Sequence, residues 1–231
     1  MREMYKAYAR LLICVLLFSA VLAGCSSDGY DSGDGSYSYL RADFVDMHAG
    51  AGKYVDYVVT DEGERLSVDP SFTLSWITTP DSVYRALLYY NLDSDESGNA
   101  VAQALSVAQV PVLDIVPAWQ VGNVPVDPVT FESAWLSADG KYLNMCILLK
   151  SGTTDDDGAL HTIGIVGEQT TTTTGGGSCT VLRLLHDQGG VPEYYSVRKY
   201  LSIRTSSFTT GAVTIKVNTY SGEVEKTIYL H

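Results

Sequence analysis

Beyond residue 39 the chain is written in short runs where apolar and polar side chains trade places. Leu40, Ala42 and Phe44 alternate with Arg41 and Asp43, the two-residue period of a half-buried strand. Residues 54–60 (YVDYVVT) are rich in β-branched and aromatic side chains, and Asp61-Glu62-Gly63-Glu64 turns them into residues 65–68, which predicts a hairpin. Residues 83–90 (VYRALLYY) form a continuous strand-like run. In residues 100–110, Val101, Leu105 and Val107 keep one parity, although the Ala, Gln and Leu there also favour helix. Five strands with short turns fit a small barrel. Pro111, Pro117, Pro125 and Pro128 then cluster, and proline marks connections rather than central strands. Past them, residues 131–136, 142–149, 161–167, 180–186, 197–204, 212–218 and 224–230 read as seven short strands, the pattern of a β-sandwich. Threonines 170–174 followed by glycines 175–177 read as a low-complexity loop.

The start of the chain follows a different rule. Arg2, Lys6 and Arg10 make it positive, and residues 11–24 (LLICVLLFSAVLAG) are uncharged and mostly apolar. A spanning helix needs about 20 such residues, a secretory core only about 7–15 followed by small residues. Leu22-Ala23-Gly24-Cys25 resembles the lipobox of bacterial lipoproteins. That resemblance implies cleavage before Cys25 and acylation of its sulfur, making the lipid bilayer the first partner. Two or more acyl chains hold a protein firmly where one does so only marginally. Ser26 stands where an Asp would signal inner-membrane retention, so the expected address is the outer membrane, facing the periplasm or the cell surface. Residues 26–36 (SSDGYDSGDGS) have the composition of a flexible tether. The expected fold class is all-β: a cleaved signal peptide (1–24), a tether (25–37), a small barrel (38–116) and a β-sandwich (117–231).

Composition narrows the function classes. A net charge of −12 opposes nucleic-acid binding, and a hydrophobic share of 45% excludes disorder of the whole chain. Sixteen Tyr and three Trp are more aromatic residues than a core of this size needs, and such side chains are favoured at recognition surfaces. Trp76, Trp119, Tyr194 and Tyr195 are the candidates for a ligand-facing surface. Trp135 lies inside a strand and reads as core. Trp119, between Pro117 and Pro125, also reads as a wedge between domains.

Chemistry-bearing constellations are few. Residues 93–99 (DSDESGN) match the opening of an EF-hand loop, with a Gly where the sharp turn falls. The place of the bidentate Glu is held by Ala104, so a polar hairpin loop is expected, with Asp93, Asp95 and Asn99 as weak cation candidates. Asp155-Asp156-Asp157 is a second acidic turn. His48, His161, His186 and His231 lack metal-ligand spacing. His161 and His186 bound candidate strands, so adjacent strands would bring the rings together; a structural pair, each ring satisfied by backbone, is expected over a metal site in which Asp187 would act as an acceptor behind a ligand. Cys146 and Cys179 lie in apolar strand patterns, where a disulfide and two free buried thiols are both open. There is no G-x-S-x-G elbow and no glycine-rich phosphate loop, and no cofactor is implied.

The order of several segments resembles NigD-like lipoproteins of Gram-negative anaerobes: Arg85-Ala86-Leu87-Leu88-Tyr89-Tyr90, Asp127-Pro128-Val129 with Trp135, Lys141-Tyr142-Leu143-Asn144, His161-Thr162-Ile163, and Leu182-Arg183-Leu184-Leu185-His186-Asp187. The succession carries the resemblance, since no single segment is specific. It covers the chain beyond the tether and departs at the Thr/Gly loop and at Gly50-Ala51-Gly52. It implies an OB-like barrel followed by a sandwich, and it brings no catalytic residues. The expected function is a non-enzymatic envelope binding module with a protein or glycan partner. A bacteriocin-linked, immunity-type lipoprotein is the alternative. A glycan-active enzyme would need a pocket with converging carboxylates.

Overall fold

A computed structural model describes residues 40–123, 125–154, 158–172 and 177–230. The signal segment, Cys25, the tether, the acidic turn 155–157 and His231 lie outside the described residues. Five strands come first: β1 (Leu40–Ala49), β2 (Val55–Thr60), β3 (Arg65–Phe72), β4 (Ser82–Ser94) and β5 (Ala100–Gln109). They close as β1-β2-β3-β5-β4, with β3 and β5 parallel and β4 returning to β1. The expected OB-like barrel is present. Residues 100–109 are strand despite their helix formers, because pairing with β4 along their length overrides propensity. Val45, Met47, Val58, Leu66, Leu88 and the ring of Tyr90 fill the interior. The Tyr90 hydroxyl donates to Asp43 at 2.6 Å, and burial together with that carboxylate raises its pKa.

The chain then enters a second module. β6 (Ile115–Pro117) is already hydrogen-bonded in parallel to β9 (Thr162–Thr172), so the new sheet begins slightly before the expected boundary at 117. One sheet is ordered β13-β12-β10-β9-β6, the other β11-β8-β7. The strands are β7 (Thr130–Leu136), β8 (Tyr142–Ser151), β10 (Ser178–Asp187), β11 (Tyr195–Arg204), β12 (Ala212–Thr219) and β13 (Gly222–Tyr229). Leu143, Met145, Ile147, Leu182, Leu184, Leu201, Ile203, Val213 and Ile215 meet between the sheets. This is the expected sandwich, and its eighth strand, β6, is the one its length hid. On the outer face of the larger sheet Arg183 joins Glu168 and Glu223, and Lys216 reaches Glu168 at 3.3 Å and Glu225 at 3.7 Å.

Two strands break the half-buried rule. β8 is buried at six successive positions from Tyr142 to Ile147, and β4 at four, from Arg85 to Leu88. Alternate residues of β8 serve the sandwich core. The others, Tyr142, Asn144 and Cys146, face away from it. The outer face of the barrel covers them: Phe44 on β1 meets Trp135 on β7 edge-on at 5.6 Å and Tyr200 on β11 at 5.3 Å. The barrel therefore sits on the outer surface of the three-stranded sheet. The connecting segment is strapped down on both sides. Val110 N–H donates to the Arg85 carbonyl at 3.1 Å, and Leu113 N–H to that of Ser202 at 2.8 Å.

Candidate functional site

The seam between barrel and sandwich holds a buried charge. Arg85 projects from the outer face of β4 and is 4% exposed. An ion in such a place must be paired and hydrogen-bonded. Its guanidinium donates to both carboxylate oxygens of Asp61, at 2.5 and 2.8 Å, and to Asn144 Oδ1 at 3.4 Å. Asp46 lies 3.7 Å away. The Tyr142 ring lies 4.1 Å from the guanidinium carbon and the Phe44 ring 5.4 Å, a cation–π cage closed from both modules. Asn144 is fully buried and accepts from Ser202 Oγ at 2.7 Å. The Tyr142 hydroxyl donates to Asp46 at 3.0 Å. Burial, with Asp46 beside it, pushes that phenol up to about 12. Arg85 Nε is buried without a hydrogen-bond partner, so the cage is tight but not saturated.

Beside this lock the two modules enclose a cleft of about 310 Å³. Phe44, Asp43, Asp61 and Glu62 line it from the barrel, Trp135 and Leu136 from the sandwich. Pockets favour such junctions between modules. A hollow of about 250 Å³ lies on the barrel beside His48, Asp56 and Asp81, and one of about 170 Å³ beside Lys141 and Arg204; neither combines residues of both modules.

A second polar cluster joins His161 to His186. β9 and β10 are neighbours, and His161 Nδ1 lies 3.1 Å from His186 Nε2. His186 Nδ1 is 3.1 Å from the Asp127 carbonyl. A carbonyl only accepts, so His186 Nδ1 donates and its Nε2 accepts from His161 Nδ1–H. The backbone of Asp127 is thus the acceptor for His186, and the Asp187 carboxylate accepts from Gly189 N–H at 2.9 Å. Among the described residues His161 Nε2 is buried without a hydrogen-bond partner. Burial, then His186 and Lys199, hold His161 below the usual histidine value, with only the Lys150 carbonyl opposing.

That shift has a sign. The unfolded ring titrates near about 6.5 and the folded ring lower, so between those values the unfolded state binds more protons and stability rises with pH. His48 acts in the same direction, chiefly through burial. The urea midpoint is expected to fall as pH goes from 7 to 5, above the range in which the depressed carboxylates titrate. His161→Leu should flatten part of that slope. A midpoint that holds steady or climbs across this window would refute the assignment of a neutral, buried His161.

The sequence-derived candidates fall outside these clusters. Asp95 accepts from Ser97 and Asn99 N–H at 2.9 and 2.8 Å and from Asn99 Nδ2 at 2.9 Å, while Asp93 accepts from Ser94 N–H and Gln103. The loop therefore uses its carboxylates on itself. Among the described residues no group of three or more His, Cys, Asp or Glu side chains is placed to hold a metal ion. Cys146 and Cys179 are free, so the bridge left open by the sequence is not formed. They belong to different sheets, and each thiol has its own neighbour, Glu132 at 3.0 Å and Thr214 at 3.3 Å. Burial and then Glu132 push the Cys146 thiol up to about 12, which suppresses the nucleophilic thiolate. Trp76 is half-buried, edge-on to Tyr84 at 5.8 Å. Trp119 is no wedge: it stands 80% exposed on a one-turn helix, α1 (Ala118–Val121). Tyr194 and Tyr195 are exposed where β11 begins. Trp135 is at the seam rather than in the core.

Arg85, Asp61, Asp46, Asn144 and Ser202 were not among the sequence candidates. A signal existed: Arg85 and Asn144 each interrupt an otherwise apolar strand run, and a polar residue there needs a buried partner.

No family model matches the chain, and no curated protein does at a meaningful level. Solved structures do. The chain is similar to a NigD-like immunity protein from Bacteroides caccae, with 25% identity and a TM-score of 0.62, over 80% of this chain and 91% of that one. It is also similar to a protein of unknown function from Bacteroides vulgatus, with 19% identity and a TM-score of 0.60, over 83% and 90%. The second likeness speaks for the fold alone. The resemblance to NigD-like proteins read from the sequence is borne out by the first.

Proposed function

We propose that this chain is a lipid-anchored, non-catalytic interaction protein of the bacterial cell envelope that seats a partner at the barrel–sandwich seam. The observation that carries the reading is the cleft walled by both modules beside the Arg85 lock, in a chain similar along most of its length to a NigD-like immunity protein. The lipobox at residues 22–25 supports the anchor. Among the described residues no helix is long and apolar enough to cross a membrane, and an acylated Cys25 would supply attachment instead. Ser26 favours the outer membrane.

The test is made in cells. A photo-crosslinking residue replacing Ala138, exposed at the cleft, is expected to capture a discrete partner. The same residue replacing Lys226, on the far edge strand β13, is not. Cys25→Ala is expected to leave the membrane fraction. Absence of any seam-specific adduct would remove the reading, and membrane retention of Cys25→Ala would remove the anchor. A second reading, an immunity-type role, is favoured by the name of the similar Bacteroides caccae protein. It requires that deletion sensitise the producing strain to a toxin encoded beside this chain.

A further inference from the structure

Resting on the interaction reading above, we propose that the seam cleft receives the side chain of an arginine or lysine presented by a partner protein. The lining divides into two kinds of surface. Phe44, Trp135 and Leu136 offer apolar walls, and Asp43, Asp61 and Glu62 offer carboxylates; among the described residues no Lys, Arg or His lines the cleft. A long cationic side chain is the complement of that division, because its methylene stem packs on apolar surface while its head seeks anions. Aromatic walls add to the attraction for a cation.

The protein's own cations do not fill this role. Arg85 holds both oxygens of Asp61 from behind. Arg41 binds Asp43 at 3.1 Å and Glu64 at 3.0 Å. Neither lines the cleft. They fix two carboxylates in place, with the Tyr90 hydroxyl also on Asp43, and leave Glu62 as the unengaged anion of the cleft. Glu62 is exposed, sits at the cleft and has no hydrogen-bond or ion-pair partner among the described residues. An anionic ligand would face three carboxylates at close range, and a neutral one would leave Glu62 unmatched. The chain's −12 net charge steers cationic partners toward it.

The test uses the full chain in detergent micelles, titrated with acetyl-Gly-Arg-Gly-amide and with the same peptide carrying citrulline, an uncharged isostere. The readout is the NMR shift of the Trp135 indole N–H. The arginine peptide is expected to move it saturably, and the citrulline peptide to bind at least about tenfold more weakly. Glu62→Gln should weaken arginine binding several-fold. Glu96→Gln, which removes the same charge from the exposed β4–β5 loop, should not. Equal binding of both peptides, or equal loss in the two variants, would overturn the proposal. If arginine leaves Trp135 unmoved while a crosslinker at position 138 still captures a partner in cells, this occupant is wrong and the interaction reading stands. If the crosslinker captures nothing, that reading falls as well.

Discussion

Replacing Arg85 with alanine is expected to lower the unfolding free energy by about 3–5 kcal/mol, the range for breaking a buried ion pair. The loss is large because the guanidinium leaves a vacancy among groups with little access to water, the Asp61 and Asp46 side chains being only 15% and 13% exposed. Asp61 is held by two hydrogen bonds from Arg85, and Asn144 is fully buried. Without the cation, Asp46 and Asp61 face each other's charge across the vacancy, and Tyr142 and Phe44 lose the group they enclose. Urea unfolding measures the loss. Arg85→Met combined with Asp61→Leu removes both charges and restores apolar volume, so it should lose clearly less than Arg85→Ala alone. If the pair of changes is as damaging as the single one, the lock is ordinary packing.

The second large effect lies away from the seam. Leu182→Ala should cost about 2–5 kcal/mol. Leu182 is fully buried on β10, which is flanked by β9 and β12 in the larger sheet. Its side chain lies among Ile147, Ile165, Leu201 and Ile215 in the intersheet cluster, and a close-packed interior relaxes only partly around a cavity. The seam is untouched, so binding at the cleft should persist in whatever fraction stays folded. A loss below about 1 kcal/mol would mean that this cluster is not the sandwich core.

Much of the fold was legible because alternation is a local signal. Leu40, Ala42 and Phe44 do lie in a strand, although the barrel interior takes the other parity, Val45 and Met47, and Leu143, Met145, Ile147 and Leu149 share one face of theirs. Three things were not legible. β6 is a strand only because β9 recruits it in parallel, and three residues carry no period of their own. The placement of Trp135 was misread because strand parity says which residues share a face, not what covers it. The barrel turns an outer face into an inner one. The seam itself joins residues far apart in sequence, such as Asp61 and Asn144, and no local pattern reports such a meeting.

The segments that carried the family resemblance take on physical roles together. Arg85, Trp135, Tyr142 and Asn144 converge at the seam, while Asp127, His161 and His186 form the second cluster. What looked like a loose succession of motifs is two buried polar assemblies, one joining the modules and one closing the sandwich between β9, β10 and the segment before β7.

The account stands most directly on the two modules being one cooperative body locked through Arg85. Native-state hydrogen exchange on the full chain, read at amides of β2 and β4 in the barrel and of β10 and β12 in the sandwich, measures this. The slowest amides of both modules are expected to share one opening free energy, equal to that of global unfolding. Barrel amides that open at a much lower free energy while the sandwich stays protected would contradict it.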